Sequence, residues 1–197
     1  RASSAAADGG GSVDPSSSSS GGGGSGVDYH TSVLRRRANR RASSELASFL
    51  RLLSNEMPQE EFASVESEVY SKVFSLVHSK SVRADDRLAG VATLDALLAV
   101  PSADEERRAI RFGNNLSNGL KAPHADYEFL GAIARALGRM ATGAANVDRV
   151  EFEIGRSLEW LRSERGDRRL AAALVLRELA RCAPTVFYSR TRNADAD

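Results

Sequence analysis

Residues 132–137 read AIARAL, and their outline recurs at 92–97 (ATLDAL) and at 171–176 (AAALVL). In each copy a small residue opens the motif: Ala92, Ala132 and Ala171. A second follows four residues on, at Ala96, Ala136 and Val175, and a leucine comes next, at Leu97, Leu137 and Leu176. Positions i and i+4 share a helix face, so the code describes one stripe. Small side chains let a neighbouring helix approach, and the leucine fills the gap between layers. The copies stand 40 and 39 residues apart, a period that suits a pair of helices and defines HEAT and armadillo-type solenoids. A single pair cannot bury its apolar face alone, so neighbouring pairs must stack. The fixed offset favours this arrangement over a closed helical bundle, and Gly90, Gly131 and Gly138 fit close contact between helices.

Working outward, apolar residues at spacings of three and four, broken by turn signals, predict an all-α chain of three to four helix pairs. Helix one is expected from about Ser32 to Asn55, burying Leu46, Phe49, Leu50 and Leu53. Helix two opens at Pro58 with Glu60 and Glu61 at the positive dipole end, and buries Phe62, Val65, Val69, Val73, Phe74 and Val77. Helix three follows Asp85 and ends before Pro101. Helix four, near Asp104 to Leu120, is anchored by Ile110, Leu116 and Leu120. Helix five begins after Pro123. Helix six carries Val147, Val150, Ile154, Leu158 and Leu161, and helix seven, from about Asp167 to Cys182, packs Leu170, Leu174, Leu176 and Leu179. Pro184 then opens an eighth helix that stops almost at once. No alternating strand pattern with hairpin turns occurs.

Three regions follow: a Ser/Gly/Ala-rich tail at 1–31, the solenoid at 32–190, and a polar end at 191–197. The runs Ser16 to Ser20 and Gly21 to Gly24 hold almost nothing to bury, so the tail is read as disordered.

Composition excludes more than it suggests. A formal net charge of +1 gives no pull toward nucleic acid or acidic membranes, and no apolar stretch reaches the roughly 20 residues that span a bilayer. Nor is there a signal sequence at the start, so the expected location is cytoplasmic. The lone cysteine, Cys182, is read as a small core residue and Trp160 as a core anchor. His30, His78 and His124 form no helix-spaced metal pair. The glycine runs 9–11 and 21–24 lack the Gly-Lys-Ser of a phosphate-cradling loop, and no hydrolase elbow or kinase catalytic motif is present. Catalytic, cofactor-binding and metal residues are therefore all expected to be none. Carboxylates lie among arginines, as on solvated helix faces. The cluster Arg35, Arg36, Arg37, Arg40 and Arg41 is read as the solvated start of helix one, because no aromatic residues interleave with it as a base-stacking surface would require. Ser43 lies in a short basophilic-kinase-like sequence.

One stretch is more specific. Residues 150–188, VEFEIGRSLEWLRSERGDRRLAAALVLRELARCAPTVFY, resemble the N-terminal HEAT region of target of rapamycin (TOR) kinases. The motifs that carry the likeness are Glu151-Phe152-Glu153, Leu158-Glu159-Trp160-Leu161, Arg168-Arg169 and residues 174–180, LVLRELA. Met57-Pro58-Gln59-Glu60-Glu61 and Leu137-Gly138-Arg139-Met140-Ala141 look like the same family, and the similarity covers roughly Val33 to Tyr188. The tail and the polar run after Tyr188 depart from it, and the latter is read as a truncated end. The resemblance implies a scaffold segment of a large serine/threonine protein kinase of nutrient and growth signalling. It also implies protein partners such as Raptor, a possible homodimer of the parent, and ATP and magnesium bound by the parent outside this chain. A free-standing HEAT adaptor is the alternative.

Overall fold

The computed structural model describes residues 25–79, 81–102, 104–122, 125–142 and 147–188. Their helices are α1 (Ser25–Glu56), α2 (Gln59–His78), α3 (Ala84–Leu98), α4 (Glu105–Gly119), α5 (Tyr127–Met140), α6 (Val147–Leu161) and α7 (Gly166–Cys182), followed by a short helix at 184–188. The readings made for residues 1–24, for 191–197 and for His124 lie outside the described residues. α1 opens seven residues before Ser32, and Pro58 serves as the N-cap of α2. Local chemistry fixes other ends. Asp104 caps α4 by accepting the Arg107 N–H at 2.9 Å, and Asp126 caps α5 by accepting that of Phe129 at 2.8 Å. Each frees a helix of one orphan donor.

The helices form two layers. α1, α3, α5 and α7 lie side by side in chain order, while α2, α4 and α6 pack against α3, α5 and α7 respectively. This is a helical-repeat solenoid, as the 40-residue period required, and no strand occurs among the described residues. The core runs unbroken through it. Leu94, Leu97, Phe112, Leu116, Ile133, Ala134, Ala136, Ala171, Ala172 and Val175 have no exposed surface. Burying each leucine or phenylalanine stabilises by roughly 1.5–3 kcal/mol.

The small-residue code lies on the stacked α3–α5–α7 layer. Its close approach is visible at Gly138, where an added Cβ would stand 2.9 Å from the Glu178 Cβ and 3.1 Å from the Glu178 carbonyl oxygen. Gly90 meets Val77 of α2 in the same way, at 3.0 Å. Ala92 and Ala132 are only half-buried, however, and so is Leu176.

Six expected core positions are corrected. Phe49, Phe74, Ile110, Val147, Leu161 and Leu170 are exposed. Each apolar stripe is wider than the face its neighbours cover, and one residue of displacement turns a side chain by about 100°. Phe49 therefore points away while Leu50 is buried, and Phe112 takes the place expected for Ile110. Three carboxylates depart from the solvated faces expected of them: Glu66, Glu153 and Glu178 are buried, each with a donor at hand. Trp160 is buried as expected, and Cys182 is half-buried.

Candidate interaction surface

Most polar side chains that the fold brings inside are structural. Arg108 is buried and donates to the Leu97 and Val100 carbonyls at 3.0 and 2.5 Å while Glu105 holds its other edge. It thereby satisfies the open carbonyls at the end of α3. Between α2 and α4, His78 is hydrogen-bonded to Asn115, whose amide donates to the Tyr70 hydroxyl at 3.4 Å. The Tyr70 ring stacks on Phe112 at 4.8 Å with the Arg111 guanidinium over it at 4.1 Å.

The family-like stretch accounts for two more such clusters. In α6, Glu153 accepts from Ser117 of α4 at 2.6 Å and pairs with Arg156 and, at 3.7 Å, Arg149. Burial pulls both arginines below their ordinary pKa and Glu153 opposes it. Arg149 lies flat on α4 where a side chain at Gly113 would stand, and Arg156 and Arg168 flank the Trp160 ring. In α7, Glu178 takes Arg177 and Arg181, both at 2.8 Å. Burial works to raise its carboxyl, but the two arginine hydrogen bonds outweigh it and hold the pKa below the usual carboxylate range. The motif residues Glu153, Trp160 and Glu178 thus build contacts within and between helices. Among the described residues no group of His, Cys, Asp and Glu is placed to hold a metal ion.

A groove of 380 Å³ runs along the seam between α3 and α5, walled by Arg40 of α1 on one side and Arg177 of α7 on the other. Ala92 and Ala132 form its floor, which explains why these two members of the repeat code are half-buried: they face solvent beside the seam. Asp95 lies deep in it, ion-paired with Arg139 at 2.7 Å. Burial raises its carboxyl pKa, with Arg139 and Arg135 acting against the shift. Glu128 is held by Arg36, which also donates to Asp85 at 2.8 Å and so ties α1 to both α3 and α5. The five-arginine cluster of helix one therefore divides. Arg36 is a structural tie, Arg41 makes an exposed pair with Glu45, and Arg40 faces the groove. Ser43 is half-buried. The sequence alone did not single out this groove. Its one signal was the 40-residue offset, which places Asp95 and Arg135 at equivalent positions.

No family model matches the chain. Individual relatives do. The serine/threonine-protein kinase tor1 of Schizosaccharomyces pombe is 29% identical over 150 residues, 75% of this chain and 6% of that protein. The TOR kinase of Oryza sativa subsp. japonica is 31% identical over 137 residues, 68% of the chain and 5% of that protein. That of Arabidopsis thaliana is 30% identical over 123 residues, 61% of the chain. The chain spans about one twentieth of the length of these curated relatives. No described helix is long and apolar enough to cross a membrane. A stacked helical solenoid with buried ion clusters in its most family-like stretch, matched over most of its length by kinases of one kind, has TOR serine/threonine-protein kinases as its homologues.

Proposed function

We propose that the chain is a HEAT-type scaffold segment of a TOR-like serine/threonine protein kinase, which assembles protein partners and takes no part in phosphoryl transfer. The observation that carries this reading is the match to TOR kinases over three quarters of the chain. The fold supports it. Charged residues are spent on joining helices, and the stacked layer turns a long face with a groove to solvent. Such a surface can present many weak contacts at fixed spacing. In this reading the partners are companion subunits of a TOR complex such as Raptor, the parent dimerises, and ATP and magnesium act in residues outside this chain. The setting is the cytoplasm.

The test is a chimaera in which residues 32–188 replace the matched segment of the fission yeast tor1 kinase. Expected is a kinase that still co-purifies with its complex subunits and phosphorylates substrate, with Leu137→Asp in the graft abolishing assembly. Full assembly and activity with the segment deleted altogether would overturn the scaffold role.

A further inference from the structure

The groove on the α3–α5 seam carries more guanidinium than carboxylate, with Arg40, Arg135 and Arg177 against Asp95 and Glu128, although Arg135 also acts on Asp95 at a distance. Its two carboxylates are already taken, Asp95 by Arg139 and Glu128 by Arg36, and Arg177 is taken by Glu178. Arg40 and Arg135 are exposed, and among the described residues neither has a carboxylate within ion-pair distance. The Arg135 guanidinium lies back over the floor, since a Cβ at Gly131 would meet its Nη1 at 3.5 Å. Arg135 thus lies over, and Arg40 lines, a depression that also holds the small residues Ala92, Gly131 and Ala132 and one exposed aromatic, Tyr127. Planar guanidinium groups favour bidentate pairing with carboxylates.

The groove also has a definite length. It is lined by Val91 with Gly131, Ala92 with Ala132, and Asp95 with Arg135, each pair one repeat apart. It is therefore the same strip of two successive repeats, extending about 10 Å from Leu88 to Asp95 at 1.5 Å per residue. At about 3.3 Å per extended residue that accommodates about three residues along the seam. Base recognition is disfavoured by the lone aromatic, and membrane docking by Asp95 and Glu128, which also line the groove.

We propose that this groove docks a short acidic segment of a partner protein, whose Asp or Glu side chains pair with Arg40 and Arg135 while a small apolar side chain between them rests on Ala92 and Ala132. This rests on the scaffold reading and names the chemistry of one partner contact.

The experiment uses the full 197-residue chain and an array of ten-residue peptides with two to four glutamates at varied spacing around one leucine or valine. Glutamine and phosphoserine versions and an unstructured DNA strand are included, and hits are measured by fluorescence anisotropy. Expected is binding of glutamate peptides that Arg40→Gln with Arg135→Gln weakens at least tenfold at unchanged circular dichroism. Asp95→Asn, which removes a negative charge from the floor, should tighten binding several-fold. A control pair of exposed arginines that do not line the groove, Arg51→Gln with Arg162→Gln, should change it less than twofold. No glutamate peptide bound, equal loss in the control pair, or preference for phosphoserine peptides or DNA would each overturn the proposal. Its failure is separable from that of the scaffold reading. A chimaeric kinase that assembles while the array is blank leaves the scaffold standing without the groove. Specific peptide binding by a chain whose deletion leaves assembly intact does the reverse.

Discussion

The two ends of the solenoid are built to different standards. In α5, α6 and α7 small residues sit where helices cross, and the interior holds Ala136, Ala171, Ala172 and Val175 with no exposed surface. Two buried carboxylates, Glu153 and Glu178, each face two arginines there. In α1 and α2 the apolar residues are larger and less completely used. Leu50, Phe62, Val73 and Val77 are buried, while Leu34, Phe49, Leu52 and Phe74 are exposed. Contacts from α1 to the rest are partly polar, through Arg36 and Asn39 to Asp85. Close packing is what small residues provide. α1 packs on α3, but among the described residues no helix covers its other side, so part of its apolar stripe stays exposed. The C-terminal half should therefore be the more stable and the less tolerant of change.

The largest effect should come from charging the packed layer. Leu137 is 3% exposed on α5, between α3 and α7. Leu137→Asp buries an unpaired carboxylate and removes a core leucine, a cost above about 4 kcal/mol, which is comparable to the whole stability of a marginal domain. Thermal melting followed by circular dichroism should lose its cooperative transition. At the looser end Phe49→Asp, at a residue 55% exposed, should stay within about 0.5 kcal/mol of the parent. A cooperative melt in the first, or a collapse in the second, would reverse the ranking of the two regions.

That pair of residues also marks how much could be read in advance. The period, the helix limits other than the start of α1, and the layer of stacked odd helices follow from spacing along the chain, because helix ends and i, i+4 stripes are local properties. Leu137 was legible for that reason. Phe49 was not, since whether a stripe 100° wide is covered depends on which neighbours arrive, and α1 meets α3 but no earlier helix among the described residues. Buried charge was illegible too. Glu153 sits between arginines in the sequence and looks like a solvated face. Its burial depends on Ser117 and Gly113 of α4, some 36 and 40 residues away. The groove shares that fate: Arg40 is 95 residues from Arg135, and only stacking brings both to one seam.

The buried ion cluster offers the next test. Glu153 is 1% exposed, and its removal leaves the Arg149 and Arg156 guanidinium groups facing each other with no carboxylate between them. Breaking a buried pair by deleting one partner costs about 3–5 kcal/mol. Glu153→Ala should therefore lower the denaturant midpoint strongly without changing helix content at low temperature. Glu153→Gln keeps an acceptor for Ser117 but not the charge, and should fall between. Equal stability of Gln and Glu variants would mean that the carboxylate serves as a hydrogen-bond acceptor and its charge contributes nothing.

The smallest effect is also the sharpest, because its sign differs between two glycines of neighbouring helices. Both lie inside helices, where alanine is favoured over glycine by roughly 1 kcal/mol. At Gly155 of α6 nothing lies within 4 Å of an added Cβ, so Gly155→Ala should gain most of that preference and raise the melting temperature by about 2–4 °C. At Gly138 of α5 the same methyl would press at 2.9 Å on the Glu178 Cβ and at 3.1 Å on backbone. Backbone cannot swing aside as a long side chain can, and overpacking costs about 1–3 kcal/mol, which exceeds the propensity gain. Gly138→Ala should therefore lower the melting temperature by a few degrees. A rise in both would show that α5 and α7 can part slightly at little cost, and that the glycine there is not what sets their spacing.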